Sequence, residues 1–193
     1  MIKNPFLSLL KNDLCYVIEK KEPITIREKK QGGAGCCTFR SQYDVLMIKA
    51  KDQGTALWAL VNQKCSEGAF LEIKEDGKKV LHIVEMKSKC RLSDFMKVCD
   101  QLEGMYYASL AVMAILKLGI PDQVISYVAY KSTDLEHPSR LPLYQNKQLV
   151  GVNTDGVRIL NFWKNDEIQF KHCFSSLIKG KRDQDGNYDF GTV

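Results

Sequence analysis

The stretch that most constrains the fold covers residues 64–107, KCSEGAFLEIKEDGKKVLHIVEMKSKCRLSDFMKVCDQLEGMYY. Two segments with strand composition, residues 69–74 and 80–89, are joined at 75–78 by a turn containing Asp-Gly, a strong hairpin signal. Residues 92–118 follow with apolar side chains mostly three and four apart, which predicts the longest helix of the chain. Strands followed by a long helix and another strand indicate an α/β protein with helices packed on a central sheet.

The remaining segments complete the predicted order of elements. Spacing and composition predict helices at residues 6–21 and 54–65, and strands at 24–29, 36–40, 43–50, 123–131, 149–153 and 157–163. The continuous apolar run within residues 43–50 is typical of a strand that is buried on both faces. A single domain is expected over residues 1–178. The polar, glycine-containing segment 179–193 is expected to be a mobile tail.

Composition limits the classes of protein that fit. Hydrophobic residues make up 45% of the 193, enough for the core of one domain. A net charge of +5, from 28 basic against 23 acidic residues, is a mild bias toward polyanionic partners. Seven cysteines without a CxxC pair indicate reduced thiols rather than a disulfide framework or a zinc site. Because no signal peptide or bilayer-length apolar run is visible, a cytoplasmic protein without membrane contact is expected.

The tripeptide Glu85-Met86-Lys87 closes the second strand of the hairpin and carries the clearest chemistry. Side chains alternate between the two faces of a strand, so Glu85 and Lys87 project to one side and Met86 to the other. The Glu85 carboxylate and the backbone carbonyl of Met86 are oxygen ligands that suit Mg²⁺ or Mn²⁺. Lys87 can orient an attacking water and offset phosphate charge, as phosphodiester hydrolysis requires. A common exposed ion pair is the alternative interpretation. His82, on the opposite face, is expected to be structural.

The surroundings of this tripeptide resemble the PD-(D/E)XK, or restriction-endonuclease-like, nuclease superfamily. The matching segments are GAFLEI at residues 68–73, IVEMKSK at 83–89 and CDQLEGMYY at 99–107. In that family the core runs helix, three strands, helix, strand, with an Asp on the middle strand, E-x-K on the next and often a Gln on the following helix. The resemblance covers roughly residues 65–130. It implies a restriction-endonuclease-like core, a central mixed β-sheet flanked by α-helices, with Gln101 beside the catalytic pair.

Position 69 departs from the family pattern, because Ala69 stands where the resemblance implies a metal-binding aspartate. Alanine cannot ligate a cation, and three interpretations stay open. In the first, the chain is an active-site Asp→Ala variant. In the second, another carboxylate serves, either Glu67 on the same strand face or Glu19 or Glu22 near the predicted first helix. In the third, the chain is a naturally inactive binding member of the fold, or the alignment itself is displaced.

The leading interpretation is a Mg²⁺- or Mn²⁺-dependent endonuclease that hydrolyses DNA, in an active or an inactivated form, with RNA as the other candidate substrate. Lys89 and Arg91 lie beside the proposed site and are the expected contacts to phosphates. One alternative is a non-catalytic module that binds nucleic acid or protein on the same fold. Another is a structural protein in which the tripeptide is only surface. Nucleases of this type often act as homodimers, although the sequence carries no interface signature.

Overall fold

The computed structural model describes residue 2 and residues 4–28, 35–50, 59–136 and 154–193. Within these ranges the chain forms a 3-10 helix, two α-helices and ten strands. The helices are the 3-10 helix Pro5–Leu9, α1 (Leu92–Ile115) and α2 (Thr154–Asn165). The strands are β1 (Cys15–Ile18), β2 (Pro23–Arg27), β3 (Cys36–Arg40), β4 (Val45–Lys49), β5 (Gly68–Ile73), β6 (Lys79–Cys90), β7 (Gln123–Thr133), β8 (Glu167–Gln169), β9 (Phe174–Lys181) and β10 (Tyr188–Thr192).

Seven of these strands form a large mixed sheet in the order β1-β4-β5-β6-β7-β9-β8. The pairs from β1 to β6 are antiparallel, and the tight turn at Gly77, whose φ is 83°, joins β5 to β6 as a hairpin. Strand β7 is parallel to β6, and β9 is parallel to β7. Parallel neighbours need a long crossover connection, which α1 provides between β6 and β7. The predicted α/β class with a central mixed sheet is therefore confirmed.

The large sheet is buried on both faces by different partners. On one face it packs against α1 and α2, in a core that includes Leu71, Ile83, Leu102 and Trp163. On the other face it packs against a three-stranded sheet in the order β10-β3-β2, in a second core. This second core includes Phe39, Phe70, Val84, Met86 and Tyr127. Burial on both faces explains why Val45, Leu46, Met47 and Ile48 form the continuous apolar run that the sequence shows. Among the described residues, helices cover one face only.

Three sequence predictions about secondary structure are corrected. Residues 6–21 do not form one helix: a 3-10 helix is followed by β1, whose residues pair with β4 and complete the edge of the sheet. Residues 157–163 are not a strand, because they lie in α2 and turn Ile159, Leu160 and Trp163 toward the first core. Short apolar runs do not distinguish a buried strand from a helix, so tertiary packing decided both cases. The part of predicted helix 54–65 that is described, residues 59–65, is not helical. The predicted strand 149–153 lies outside the described residues.

The segment 179–193 belongs to the fold and is not a separate tail. The boundary that the sequence suggested after residue 178 falls inside β9, and β10 pairs in parallel with β3. The ring of Tyr188 occupies the space where a Cβ on Gly180 would lie. The buried Arg182 guanidinium donates a hydrogen bond to Glu28 Oε2 at 2.7 Å. These contacts compensate for the polar composition that suggested mobility.

No helix in the described ranges combines the length and the apolar character needed to cross a bilayer. All seven cysteines are free thiols, and Cys15, Cys37, Cys90 and Cys99 are buried. Burial raises the pKa of Cys15 to about 11, so at neutral pH this side chain is a protonated, apolar packing group.

Replacing Phe190 with alanine tests whether residues 179–193 contribute to stability. The Phe190 ring centroid lies 5.0 Å from that of Phe39 and 4.9 Å from that of Tyr127. We therefore expect Phe190→Ala to lower the free energy of unfolding by about 2–3 kcal/mol. Phe174→Ala removes the same side chain where it is 62% exposed, and should cost less than about 0.5 kcal/mol. Urea denaturation measures both, and equal costs would contradict the packing of β10.

Candidate active site

The candidate site lies on the side of β6 that faces the helices. It lies just beyond Gly68, where β5, the hairpin partner of β6, begins. Strand β5 pairs with β6 only as far as Gly68 opposite Val84, whereas β6 continues to Cys90 alongside β7. Alternation along β6 sends Ile83 into the first core and Val84 and Met86 into the second. Glu85 and Lys87 therefore project toward α1, as the sequence predicts.

Lys87 contacts two other predicted site residues, Glu85 and Gln101. Lys87 Nζ donates a hydrogen bond to Glu85 Oε1 at 2.6 Å and another to Gln101 Oε1 at 2.8 Å. Glu85 is fully buried, and the Lys87 side chain is 25% exposed. This is not the exposed surface pair of the alternative interpretation, because the carboxylate is removed from water. An ammonium has three N–H donors, so the third can reach a ligand from the partly exposed side.

A short strap, residues 62–66, lies across α1 and bounds the site. Asn62 Nδ2 donates to the Asp100 carbonyl at 2.7 Å, and Lys64 Nζ pairs with Asp100 Oδ2 at 2.6 Å. The approach is so close that a Cβ at Gly104 would collide with the Lys64 carbonyl. A long contact of 3.5 Å joins Gln101 Nε2 to the Cys65 carbonyl, so the strap and Lys87 together orient the Gln101 amide.

The sequence interpretation missed this strap and the role of Gly104. A glycine in the middle of a strong helical pattern was the available signal, since it lowers helix propensity and usually has a packing reason. Asn62 in the strap and Asp100 on α1, which are joined by a hydrogen bond, carry no signal of their own at the level of sequence.

The predicted metal-site positions Ala69, Glu85 and Met86 differ in the ligand that each can offer to a cation. Ala69 is fully buried opposite Ile83, on the same face as Glu85 and diagonal to it. Diagonal neighbours of an antiparallel pair are about 7–8 Å apart, so a carboxylate at position 69 could share a cation with Glu85. The Val84 carbonyl points to the β5 side, where it accepts from Glu67 N–H at 3.1 Å. By alternation the Met86 carbonyl points the same way, beyond the end of β5.

Of the other carboxylates that the sequence offered, Glu67 lies beside the start of β5, and Glu19 and Glu22 lie near its far end. Glu67 is half-buried just before β5. The pKa of Cys37, which lies on the opposite face of the sheet, is raised mainly by burial. The negative charge of Glu67 adds to that rise. Glu19 and Glu22 follow β1, whose last residue, Ile18, lies level with Glu72 at the far end of β5. Glu72 is four residues from Gly68, so that end lies about 13–14 Å from Gly68 at the usual rise per strand residue. No group of three His, Cys, Asp or Glu that could hold a metal exists among the described residues.

Lys89 and Arg91 follow the site residues in the chain and are exposed to solvent. Lys89 is exposed, and alternation places it on the same strand face as Glu85 and Lys87. Arg91 is exposed and precedes α1, where its backbone N–H donates to Asp94 Oδ2 at 3.2 Å. The two side chains supply positive charge at the open end of β6, next to the buried pair.

Comparison of the chain with protein-family models, with curated proteins and with solved structures finds no match. The chemistry of the site is therefore inferred from its geometry. That geometry consists of a desolvated carboxylate, an ammonium held by two acceptors, and a carbonyl directed past a strand end. Such a cluster can bind an anionic oxygen through Lys87 and can supply at least one hard oxygen ligand to a cation.

Removing the Lys87 ammonium tests whether the Glu85 carboxylate depends on it. In Lys87→Met the carboxylate stays buried without this ionic partner, so we expect the free energy of unfolding to fall by about 1–3 kcal/mol. Lys89→Met is the matched control, because it removes an exposed lysine from the same face of the same strand and should change stability by less than about 0.5 kcal/mol. Urea denaturation measures the free energy of unfolding of both variants. Similar losses in the two would show that the Glu85–Lys87 pair is solvated.

Proposed function

We propose that this chain is a nuclease-like protein that binds DNA phosphodiesters at the Glu85–Lys87–Gln101 cluster, and that its cleavage chemistry requires Mg²⁺ or Mn²⁺. The observation that carries the proposal is the Lys87 ammonium, which contacts both the fully buried Glu85 and the Gln101 amide. These are three of the positions that the resemblance to the PD-(D/E)XK superfamily implies for its site.

The order of elements around the cluster supports the same proposal. Antiparallel strands β4, β5 and β6 are followed by α1 and then by β7, which is parallel to β6. This is the order of three strands, helix and strand that the resemblance implies for a restriction-endonuclease-like core. The E-x-K tripeptide lies on the third of these strands, and the glutamine lies on the helix.

Each residue of the cluster has a role in this proposal. Lys87 contacts a phosphate oxygen and stabilises the negative charge that develops there, and Gln101 holds the Lys87 side chain in place. Glu85 and the Met86 carbonyl would hold the cation, which when bound supplies a water of lowered pKa as the nucleophile. Mg²⁺ is commonly bound by one or two carboxylates together with waters and substrate phosphates, and Glu85 supplies only the minimum of this set. With Ala69 in place, we expect weak metal affinity and little cleavage.

The substitution Ala69→Asp tests the metal site directly. Two buried carboxylates near each other repel, so the variant should be less stable than the present chain in EDTA, and Mg²⁺ or Mn²⁺ should recover that loss. Thermal unfolding with and without metal measures this effect independently of activity. The same variant should cleave plasmid DNA when either metal is present.

The control for this test is Ala69→Asn, which adds a side chain of nearly the same size without the charge and should show no metal-dependent stabilisation. Adding Glu85→Ala to Ala69→Asp should abolish both the metal effect and cleavage. If Ala69→Asp gains neither property, and Glu85→Ala changes nothing, the proposed nuclease chemistry is wrong.

A second candidate function is a non-catalytic nucleic-acid-binding module on the same fold. Two observations favour it: Ala69 cannot ligate a cation, and the described part of the chain holds no three-residue metal cluster. Salt-dependent DNA binding without cleavage, even in Ala69→Asp, would select this function. Absence of DNA binding would reject both candidates.

Charge reversal beside the site tests the predicted DNA contacts. Lys89→Glu and Arg91→Glu each exchange an attraction to phosphate for a repulsion, so each should weaken binding of a labelled 20-bp duplex by at least about fivefold at low salt, and less at high salt. Lys78→Glu is the matched control, because this exposed lysine lies in the turn at the other end of the hairpin. Fluorescence anisotropy at two salt concentrations measures all three, and equal effects would mean that binding is not centred on β6.

A further inference from the structure

A cavity of about 340 Å³ lies between α1, α2 and the connection from β8 to β9. Helix α1 contributes two acidic residues to its wall, Asp100 and Glu103, which are three apart and therefore lie on the same side of the helix. The neighbouring elements contribute two basic residues, Arg158 from α2 and Lys171 from the connection after β8. The cavity therefore has an acidic wall and a basic wall.

The charged groups of this cavity can be reached from solvent. The Arg158 side chain is 61% exposed, and the Asp100 side chain is 52% exposed. Lys171 is exposed, and Glu103 is half-buried. A small molecule that enters the cavity therefore meets both walls directly.

Two of the four charged groups have bonding capacity left for a ligand. Glu103 Oε1 accepts hydrogen bonds from the Lys171 backbone N–H at 2.8 Å and from the Tyr107 hydroxyl at 3.3 Å, and neither of these bonds uses Oε2. Within the described ranges the Lys171 ammonium forms no ion pair. One carboxylate oxygen and one ammonium are therefore available at the cavity.

The other two charged groups have exposed partners that a ligand can replace at little cost. Asp100 Oδ2 lies 2.6 Å from Lys64 Nζ, and a nitrogen of the Arg158 guanidinium lies 3.4 Å from Asp155 Oδ1. All four of these side chains are more than half exposed, and ion pairs of this kind contribute little to stability. Exchange of either pair for a contact with a ligand is therefore nearly neutral.

The balance of charge decides which class of ligand fits. A phosphate or a dicarboxylate would suit the basic wall but would be repelled by the acidic wall, and a polyamine would meet the reverse. A zwitterion presents each wall with the opposite charge. Phe162, which is half-buried beside Arg158, adds an apolar surface to the lining.

We propose that this cavity binds a free α-amino acid. The carboxylate of the ligand lies against Arg158 and Lys171, and its ammonium donates to Glu103 Oε2. The planar guanidinium suits a carboxylate, with which it forms two parallel hydrogen bonds. The side chain of the ligand lies against Phe162, and a cavity of this volume is at the lower end of the range for small-molecule pockets. The inference does not rest on the nuclease-like function.

Leucine, N-acetyl-leucine and leucinamide are the probes, since they share one side chain and each of the last two lacks one of the charges. Binding is followed at pH 7 by ¹H–¹⁵N correlation spectra of the full chain labelled at lysine. The Lys171 N–H is the reporter, because it donates to the Glu103 carboxylate, and its resonance is assigned by its loss in Lys171→Arg. Leucine should shift this resonance in a saturable manner and bind at least tenfold more tightly than either derivative.

Two variants separate the two charges of the ligand. Glu103→Gln should weaken leucine binding at least fivefold without weakening N-acetyl-leucine, which has no ammonium. Arg158→Gln should weaken leucine binding at least fivefold without weakening leucinamide, which has no carboxylate. Lys164→Gln is the matched control, because it removes an exposed positive charge of α2 that does not line the cavity; leucine affinity there should stay within twofold.

Arg158 and Lys164 are exposed, so their variants decide the matter even if Glu103→Gln does not fold. Equal binding of the three probes, an unchanged leucine affinity in Arg158→Gln, or no Lys171 shift at millimolar leucine would each overturn the proposal. None of these outcomes bears on DNA binding at the Glu85 cluster, which is measured separately.

Discussion

Strand β6 has to satisfy two different environments with alternate side chains, and the rest of the structure depends on this constraint. From Leu81 to Lys87 its odd-numbered positions face α1 and its even-numbered positions face the three-stranded sheet, whereas Cys90 at the end of the strand belongs to the core beneath α1. A shift of one residue in the register would exchange the two sets and bury the charged pair in an aromatic core. The hairpin turn at Gly77 fixes that register, and the parallel pairing with β7 extends it along the whole strand.

The same constraint concentrates polar groups at two places on one strand. Glu85 is fully buried on the helix side, and His82 is buried on the sheet side. Replacing a buried ion pair with apolar residues of similar volume is often neutral or stabilising, so stability alone does not explain Glu85 and Lys87. We interpret the pair as functional for this reason.

The sequence predicts the centre of the fold better than its edges, and the reason is physical. The hairpin from β5 to β6 and helix α1 each have a strong local pattern, and strand alternation places Glu85 and Lys87 on one face, whereas the place of Gln101 beside them is what the resemblance implies. Strand β1 carries a pattern compatible with a helix, and it becomes a strand because β4 offers an open edge. Residues 157–163 carry a short apolar run that is compatible with either state. Strand β10 is polar, and its place depends on the distant partner β3.

Within the site, the sequence predicts the residues that lie on β6 and α1. It does not predict the contacts that distant segments of the chain make with them. The strap at residues 62–66 reaches α1 through Gly104, and neither its path nor its hydrogen bonds can be inferred from local pattern. Likewise, local pattern does not show that β5 begins only at Gly68, or that the N–H of the preceding Glu67 donates to the Val84 carbonyl. The residue at which a strand begins decides which side chains lie opposite one another on the neighbouring strand, and alternation alone does not give that residue.

Position 69 is where packing and catalysis require different residues. A fully buried site beneath α1, opposite Ile83, is filled well by a small apolar side chain, and Ala69 satisfies that requirement. A carboxylate there would lie near the buried Glu85, and two such groups are tolerated when one of them is protonated or when a cation lies between them. The present residue therefore favours a packed core in which the Lys87 ammonium pairs with Glu85. An aspartate would make the stability of this part of the sheet depend on bound metal, so in the proposed function one side chain decides whether the cluster would only bind phosphate or would also cleave it.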